Sequence, residues 1–209
     1  MTGRLINNLD DVAEGARWLC EKDPRFIPAL RASGSLPLRR RAAGFSNLLN
    51  AIVAQQISVA AAQSVWVKMQ TADLTTARKI AASSDDNLRQ CGLSRQKILY
   101  AKSLATSGLS YRALAVLPDD QVIKTLCEIK GIGVWTAEIY AMFSLGRADV
   151  FAAGDLALQE AARALFALNA RPSEKMLREM AQAWSPWRAV AARALWAYYR
   201  VMKNREGTL

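Results

Sequence analysis

Histidine is missing from the 209-residue chain, and cysteine is scarce. Without an imidazole the chain can form no Ser–His or Cys–His pair and no histidine-ligated metal site, so catalysis would have to rest on carboxylates, lysines or bound water. The three cysteines, Cys20, Cys91 and Cys127, are widely spaced and include no C-x-x-C pair. This pattern argues against a disulfide framework and a zinc site, and it indicates a reducing compartment.

Long apolar runs and alternating β-branched residues are also absent. No stretch approaches membrane-spanning length, and the N-terminal residues MTGRLINNLDD contain no signal-peptide core, so we expect a cytoplasmic protein without a membrane partner. Apolar residues recur instead at helical spacing, which predicts an all-α fold. Asp10 is predicted to cap a helix over residues 11–21, and Ser58 is predicted to cap a later one.

Basic residues outnumber acidic residues by 28 to 18, which gives a net charge of +10 spread along the chain. A basic, ordered protein suggests a polyanionic partner, although charge alone does not exclude a soluble basic protein that has none. The triplet Arg39-Arg40-Arg41 is compatible both with phosphate contacts and with a solvated turn.

The stretch from Leu126 to Asp155 is more specific than the charge. An apolar helical pattern leads into residues 130–133, Lys-Gly-Ile-Gly, and a second helical pattern starts at Val134. Glycines let the backbone turn where a Cβ would clash, and Ile132 between them is expected to fill the gap between the helices. The pattern predicts a helix–hairpin–helix over residues 119–145. The N–H groups that begin its second helix would bind a nucleic-acid phosphate, whereas the alternative is a tight helix–helix turn without a ligand.

This hairpin, followed by a loop and an aspartate that opens the next helix, resembles the HhH-GPD superfamily of DNA base-excision glycosylases. The segments GIGVWTAE and DVFAAGDLAL are similar to the 3-methyladenine DNA glycosylase II family. Three further segments agree in order between about Asp23 and Tyr199: FSNLLNAIVAQQISVAAA, CGLSRQKILYAKSLA and WSPWRAVAARALW. The cysteine count excludes the four-cysteine iron–sulfur cluster that some members carry.

The resemblance implies a fold of two helical subdomains with a cleft between them that holds the base pocket. Residues 1–42 with 151–209 would form one subdomain, and residues 43–150 would form a central bundle that ends in the hairpin. The related bacterial enzyme also has an N-terminal β-rich domain. This chain has no room for that domain, so we expect the minimal form of the enzyme.

Asp155 is the predicted catalytic residue. Gly154 before it and the apolar residues Leu158 and Leu165 after it place it at a helix N-terminus. Aspartate is a favoured N-cap, so a purely structural role is the alternative, but the helix dipole would also favour the ionised carboxylate. The resemblance implies that this carboxylate stabilises an oxocarbenium-like transition state and directs water to C1′.

The resemblance also assigns the base pocket. Bifunctional members place a catalytic lysine where this chain has Trp135, so the resemblance implies a monofunctional enzyme without lyase activity. Trp135 and Trp196 would line the pocket, and an aromatic face binds a cationic methylated base by roughly 0.5–2 kcal/mol. Core packing is the alternative for Trp196. Tyr140 and Tyr198 are each displaced by one residue from tyrosines of the bacterial relative and are expected to be structural.

DNA contacts follow from the same comparison. Gln56 and Ile57 would enter the minor groove, with Ile57 as the apolar wedge, although the residues alone would suggest a surface glutamine and a core isoleucine. The remaining candidates lie at the hairpin: Lys130, Gly131, Gly133 and Thr136. Backbone carbonyls of Cys127, Ile129 and Gly131 would hold a monovalent cation, Na⁺ or K⁺, and no other cofactor is expected.

The expected function is therefore that of a monofunctional DNA-3-methyladenine glycosylase, acting as a monomer on double-stranded DNA with alkylated bases. It would flip alkylated purines out of the duplex and hydrolyse the N-glycosidic bond in base excision repair. Two alternatives remain open at this point: a glycosylase for deaminated bases, hypoxanthine or uracil, and a non-catalytic helix–hairpin–helix DNA-binding module.

Overall fold

The computed structural model describes residues 3–206, and this part of the chain is built from α-helices. In chain order they are α1 (Leu9–Lys22), α2 (Ile27–Ser33), α3 (Phe45–Ala54), α4 (Val59–Thr71), α5 (Ala77–Ala82), α6 (Asp85–Gln90), α7 (Arg95–Thr106), α8 (Tyr111–Leu114), α9 (Asp119–Cys127), α10 (Val134–Phe143), α11 (Leu156–Leu165), α12 (Glu174–Met180) and α13 (Arg188–Glu206). Short 3₁₀ helices span Pro24–Phe26 and Ala181–Trp184. Residues 3–206 contain no β-strand, only an isolated bridge between Leu5 and Arg147, so the predicted all-α class is confirmed.

Side-chain caps begin most of these helices. Ser58 accepts a hydrogen bond from the backbone N–H of Ala61, as the sequence predicts. The predicted cap at Asp10 is wrong, because α1 begins two residues earlier with Asn8 as its N-cap. Asn8 accepts from the N–H of Asp11 at 2.9 Å, and the Asp11 carboxylate accepts in return from the N–H of Asn8 at 3.2 Å. This reciprocal pair satisfies two N–H groups that a single aspartate cap would leave open.

The described chain divides into two compact units, of which one spans Arg41–Tyr140. In this unit α3 packs against α4 and α7, and α7 also packs against α5 and α6. The apolar face of α3 is fully buried and consists of Leu48, Leu49, Ile52 and Val53. Burying such side chains contributes roughly 1.5–3 kcal/mol each, so the stripe fixes which way α3 faces.

The second unit combines residues 3–40 with residues 141–206. The long helix α13 packs against α1, α2 and α11, and Trp184 and Trp187 are buried beside it. Gly15 allows α1 to lie close to α13, since a Cβ at this position would stand 2.6 Å from a Val190 methyl group. Residues 141–150 belong to this second unit, whereas the sequence placed them in the central bundle. Within the unit, the N–H of Ile6 donates a hydrogen bond to Gly146 O at 2.7 Å.

Within residues 3–206 no helix is long and apolar enough to cross a membrane.

Candidate functional site

The predicted hairpin is present between α9, which ends at Cys127, and α10, which begins at Val134. Its two glycines have different surroundings. Gly131 has φ +98°, and a Cβ there would lie 2.2 Å from Cγ of Tyr100, so both the backbone conformation and the packing demand glycine. A Cβ on Gly133 would meet nothing within 4 Å. Ile132 between them is buried, as predicted.

The N-terminus of α10 is open to a ligand. The first N–H groups of a helix have no acceptor within it and carry the positive end of its dipole. Gly133 directly before α10 is exposed, and a Cβ there would meet no other atom within 4 Å, which leaves room for a phosphate beside these N–H groups. Lys130 is exposed beside the turn, whereas Trp135 projects from the first turn of α10 with 42% of its surface exposed.

Thr136 differs from the expectation of a DNA-contacting side chain. It is only 4% exposed, and its hydroxyl lies 3.5 Å from the amide nitrogen of Gln55. The side chain is buried because it faces the protein interior from the first turn of α10. A contact between Thr136 and DNA would therefore have to use its backbone N–H.

The turn between α3 and α4 projects from the same unit. Gln56 adopts φ +57° and is exposed, and Ile57 is 39% exposed, so the isoleucine is not the core residue that its apolar character alone suggests. Gln55 faces inward instead, and its amide nitrogen donates to Gly131 O at 2.9 Å. This role of Gln55 was not predictable from the sequence, because two adjacent glutamines in a turn give no signal about which one faces the protein.

A hollow of about 440 Å³ lies beside the hairpin and is lined by Gln55, Lys97, Tyr100 and Lys130 together with both glycines. Lys97 donates from Nζ to Val53 O at 2.7 Å, and burial lowers the pKa of its ammonium group. The lysine thereby satisfies a carbonyl at the C-terminal end of α3, where helices favour a positive charge. Sequence spacing gave no reason to connect residues 44 positions apart.

Two of the three carbonyls predicted to hold a monovalent cation already accept hydrogen bonds. Ile129 O accepts from the N–H of Ile132 at 3.0 Å, and Gly131 O accepts from Gln55. Each carbonyl oxygen has a second lone pair, so the donor set still fits a hard cation. Burial raises the pKa of the Cys127 thiol, and a hard cation prefers a backbone oxygen to sulfur as its ligand.

Asp155 caps α11 in the second unit, as predicted. Its Oδ1 accepts from the N–H of Ala157 at 2.9 Å, from the N–H of Leu158 at 3.1 Å and from Nε1 of Trp196 at 3.2 Å. Asp155 is half-buried in this unit. Charge-assisted hydrogen bonds of this kind fix a carboxylate in one orientation without neutralising it.

Trp196 thus has a contact that the sequence did not indicate: it donates a hydrogen bond to the predicted catalytic residue. Its ring lies 5.7 Å from the ring of Phe143 at a tilt of 35°, and the guanidinium carbon of Arg193 lies 4.9 Å from the Phe143 centroid. Burial lowers the pKa of Arg193 to about 10, with smaller contributions from Arg39 and Arg40. The ring of Phe143 and the hydrogen bond to Asp155 thus hold the indole of Trp196 in place.

Two other sequence assignments are resolved by hydrogen bonds. The hydroxyl of Tyr140 accepts from the N–H of Gly44 at 2.8 Å and is buried, which confirms the structural role expected for this tyrosine. In the arginine triplet, the side chain of Arg40 donates to the carbonyls of Phe143 and Ser144 at the end of α10. Arg40 therefore caps a helix C-terminus, a use that neither sequence alternative included.

The chain was compared with known proteins. A family model described as HhH-GPD superfamily base excision DNA repair protein matches residues 49–186. DNA-3-methyladenine glycosylase 1 of Schizosaccharomyces pombe is 30% identical over 161 residues, which cover 73% of this chain and 71% of that protein.

Solved structures agree with the family match. The crystal structure of DNA-3-methyladenine glycosidase from Bacillus halodurans is 32% identical and superposes with a TM-score of 0.81 over 91% of each chain. The structure of 3-methyladenine DNA glycosylase (Mag1) from Schizosaccharomyces pombe in complex with abasic DNA is 27% identical, with a TM-score of 0.77 over 88% of this chain and 95% of that one. The residues matched by the family model include both the hairpin and Asp155. The chain belongs to the HhH-GPD superfamily of base excision DNA repair proteins.

Proposed function

We propose that the protein is a monofunctional DNA-3-methyladenine glycosylase that removes alkylated purines from double-stranded DNA. The observation that carries this proposal is the half-buried carboxylate of Asp155 at the N-terminus of α11, with three N–H groups bonded to Oδ1. The names of the relatives support the same reaction. An exposed helix N-terminus at the hairpin and a net charge of +10 support a DNA partner.

In the proposed reaction the bond between C1′ and the base nitrogen breaks, and its electron pair leaves with the base. Positive charge then develops on the deoxyribose, and the carboxylate of Asp155 stabilises it. Water adds to C1′ and loses a proton, which gives a free base and an abasic site. Because a base methylated at N3 or N7 is cationic and leaves as a neutral molecule, the reaction needs no general acid.

Trp135 supplies selectivity in this proposal. Its indole is 42% exposed and belongs to the first turn of α10. An electron-rich aromatic face attracts a cation by about 0.5–2 kcal/mol, depending on how much water is removed. A neutral base would not gain this energy, so the tryptophan favours alkylated purines over deaminated bases.

Base-release profiling tests the proposal. The protein is incubated with methylated DNA and, separately, with duplexes that contain hypoxanthine or uracil, and the freed bases are identified by chromatography. We expect 3-methyladenine and 7-methylguanine to be released much faster than either deaminated base. Release of deaminated bases alone would establish the alternative glycosylase, and no release from any DNA would leave only a DNA-binding module.

The absence of lyase activity is tested by borohydride trapping. A lyase forms a Schiff base between an amine and C1′, and borohydride reduces it to a stable protein–DNA adduct. Trp135 stands where bifunctional members have lysine, so we expect no adduct under conditions that trap a bifunctional glycosylase run in parallel. A robust adduct would contradict the monofunctional assignment, and its loss in Lys97→Met or Lys130→Met would identify the amine.

The proposal includes a monovalent cation at the hairpin. The backbone carbonyls of Cys127, Ile129 and Gly131 are the groups that would hold it, and Na⁺ or K⁺ would supply positive charge next to a DNA phosphate. No step of the base-release reaction requires this ion.

A further inference from the structure

Gln55 links two parts of the DNA-binding unit that are far apart in sequence. Its side-chain nitrogen donates to Gly131 O at 2.9 Å, in the hairpin turn, and lies 3.5 Å from the hydroxyl of Thr136, in the first turn of α10. Its backbone is the C-cap of α3 and leads directly into the projecting residues Gln56 and Ile57. One side chain thus joins the turn that would bind phosphate to the turn that would enter the groove.

The projecting turn is held in an uncommon conformation. Gln56 has φ +57°, which non-glycine residues adopt rarely and which persists only where surrounding contacts enforce it. The contacts on its N-terminal side are the amide of Gln55 on Gly131 O and the ammonium of Lys97 on Val53 O. On its C-terminal side, Ser58 caps α4.

We propose that Gln55 is a positioning residue that couples the phosphate-binding hairpin to the groove-entering turn of Gln56 and Ile57. When the hairpin binds a phosphate, the hydrogen bond from Gln55 holds Ile57 against the stacked bases. The proposal rests on the glycosylase function proposed above. Extrusion of a base costs unpairing and unstacking energy. If Ile57 can move away from the stacked bases, little of the energy of DNA binding at the hairpin is used to separate them. The hydrogen bond from Gln55 to Gly131 O prevents this movement, and the hydrogen bond from Lys97 to Val53 O fixes the end of α3.

Coupling of the two turns by Gln55 predicts a result that a contribution of Gln55 to stability alone does not predict. If Gln55 acts on extrusion, its loss should matter more when the lesion is paired, because an unpaired lesion has no pairing energy left to overcome. Loss of general stability would instead slow base release equally from both substrates. The two possibilities therefore differ in a ratio of rates and do not require comparison of absolute activities.

The test measures single-turnover release of 7-methylguanine from two duplexes, one with cytosine opposite the lesion and one with an abasic analogue opposite it. Gln55→Ala is expected to slow release about tenfold on the paired duplex and less than about twofold on the unpaired one, the size expected for one lost hydrogen bond. Gln55→Glu keeps the side-chain length but replaces the donor by an acceptor, and it should show the same selective defect. Gln70→Ala, an exposed glutamine on α4, is the matched control.

Thermal melting and affinity for abasic-analogue DNA are measured for each variant. Equal slowing on the two duplexes, or wild-type rates for Gln55→Ala and Gln55→Glu on the paired duplex, would overturn the coupling. Failure of the wild-type protein to release the base from either duplex would refute the glycosylase proposal itself and, with it, the role of Gln55.

Discussion

Replacement of Asp155 by asparagine is expected to reduce base release by a factor of roughly 10²–10³ or more while the protein folds and binds DNA normally. The asparagine oxygen can still accept from the N–H groups of Ala157 and Leu158 and from the indole of Trp196, so the α11 cap is kept. Only the negative charge is lost, and this is the charge that we propose stabilises the developing sugar cation. The measurement is single-turnover base release from methylated DNA.

The exposed residue Asp10, in the first turn of α1, provides the control, since Asp10→Asn removes the same charge from the same unit. It should leave base release unchanged within about twofold. Retention of base release by Asp155→Asn within a few-fold of wild type would show that this carboxylate is only a helix cap. The protein would then need another source of catalysis.

The two hairpin glycines should separate stability from DNA affinity. Gly131→Ala forces a Cβ into a conformation with φ +98° and toward the Tyr100 ring, which should lower the free energy of unfolding by roughly 2–5 kcal/mol from strain and overpacking together. Gly133→Ala places its methyl group in open space, so stability should change by less than about 0.5 kcal/mol. That methyl group stands where the phosphate approaches, and we expect about tenfold weaker DNA binding.

Melting curves and fluorescence anisotropy over a range of salt concentrations measure the two effects. Tyr100→Ala in the Gly131→Ala background should recover part of the lost stability, because it removes the overlap and leaves the backbone strain. Unchanged DNA affinity in Gly133→Ala would exclude the hairpin as a phosphate site. An equal loss of stability in both alanine variants would contradict the prediction that the fold tolerates a Cβ at position 133 but not at position 131.

Features that depend on neighbours a few residues apart were predictable from the sequence. The hairpin, the buried Ile132 between its glycines and the caps at Ser58 and Asp155 all follow from patterns that span three or four positions. Local patterns also have a limit. Near Asp10 several polar residues compete for the cap, and the reciprocal bonds with Asp11 select Asn8.

Contacts between distant residues could not be predicted in this way. Gln55 and Gly131 are 76 positions apart, Arg40 and Ser144 are 104 apart, and Trp196 and Asp155 are 41 apart. Each pairs a polar side chain with an acceptor that only the folded chain brings near. The resemblance to a family pointed to Trp196 and Asp155 separately, but the hydrogen bond from Trp196 to Asp155 became visible only in the structure.

The three donors on one oxygen of Asp155 have an evolutionary consequence. Active-site residues are often a burden on folding, and replacing them commonly makes a protein more stable. Here the proposed catalytic carboxylate is also the N-cap of α11, and loss of an N-cap usually lowers the free energy of unfolding by about 1 kcal/mol. Most substitutions at this position would therefore be selected against twice, once for lost repair and once for a weaker helix. A lineage that abandoned the chemistry would still have reason to keep an N-capping residue here, such as aspartate or asparagine.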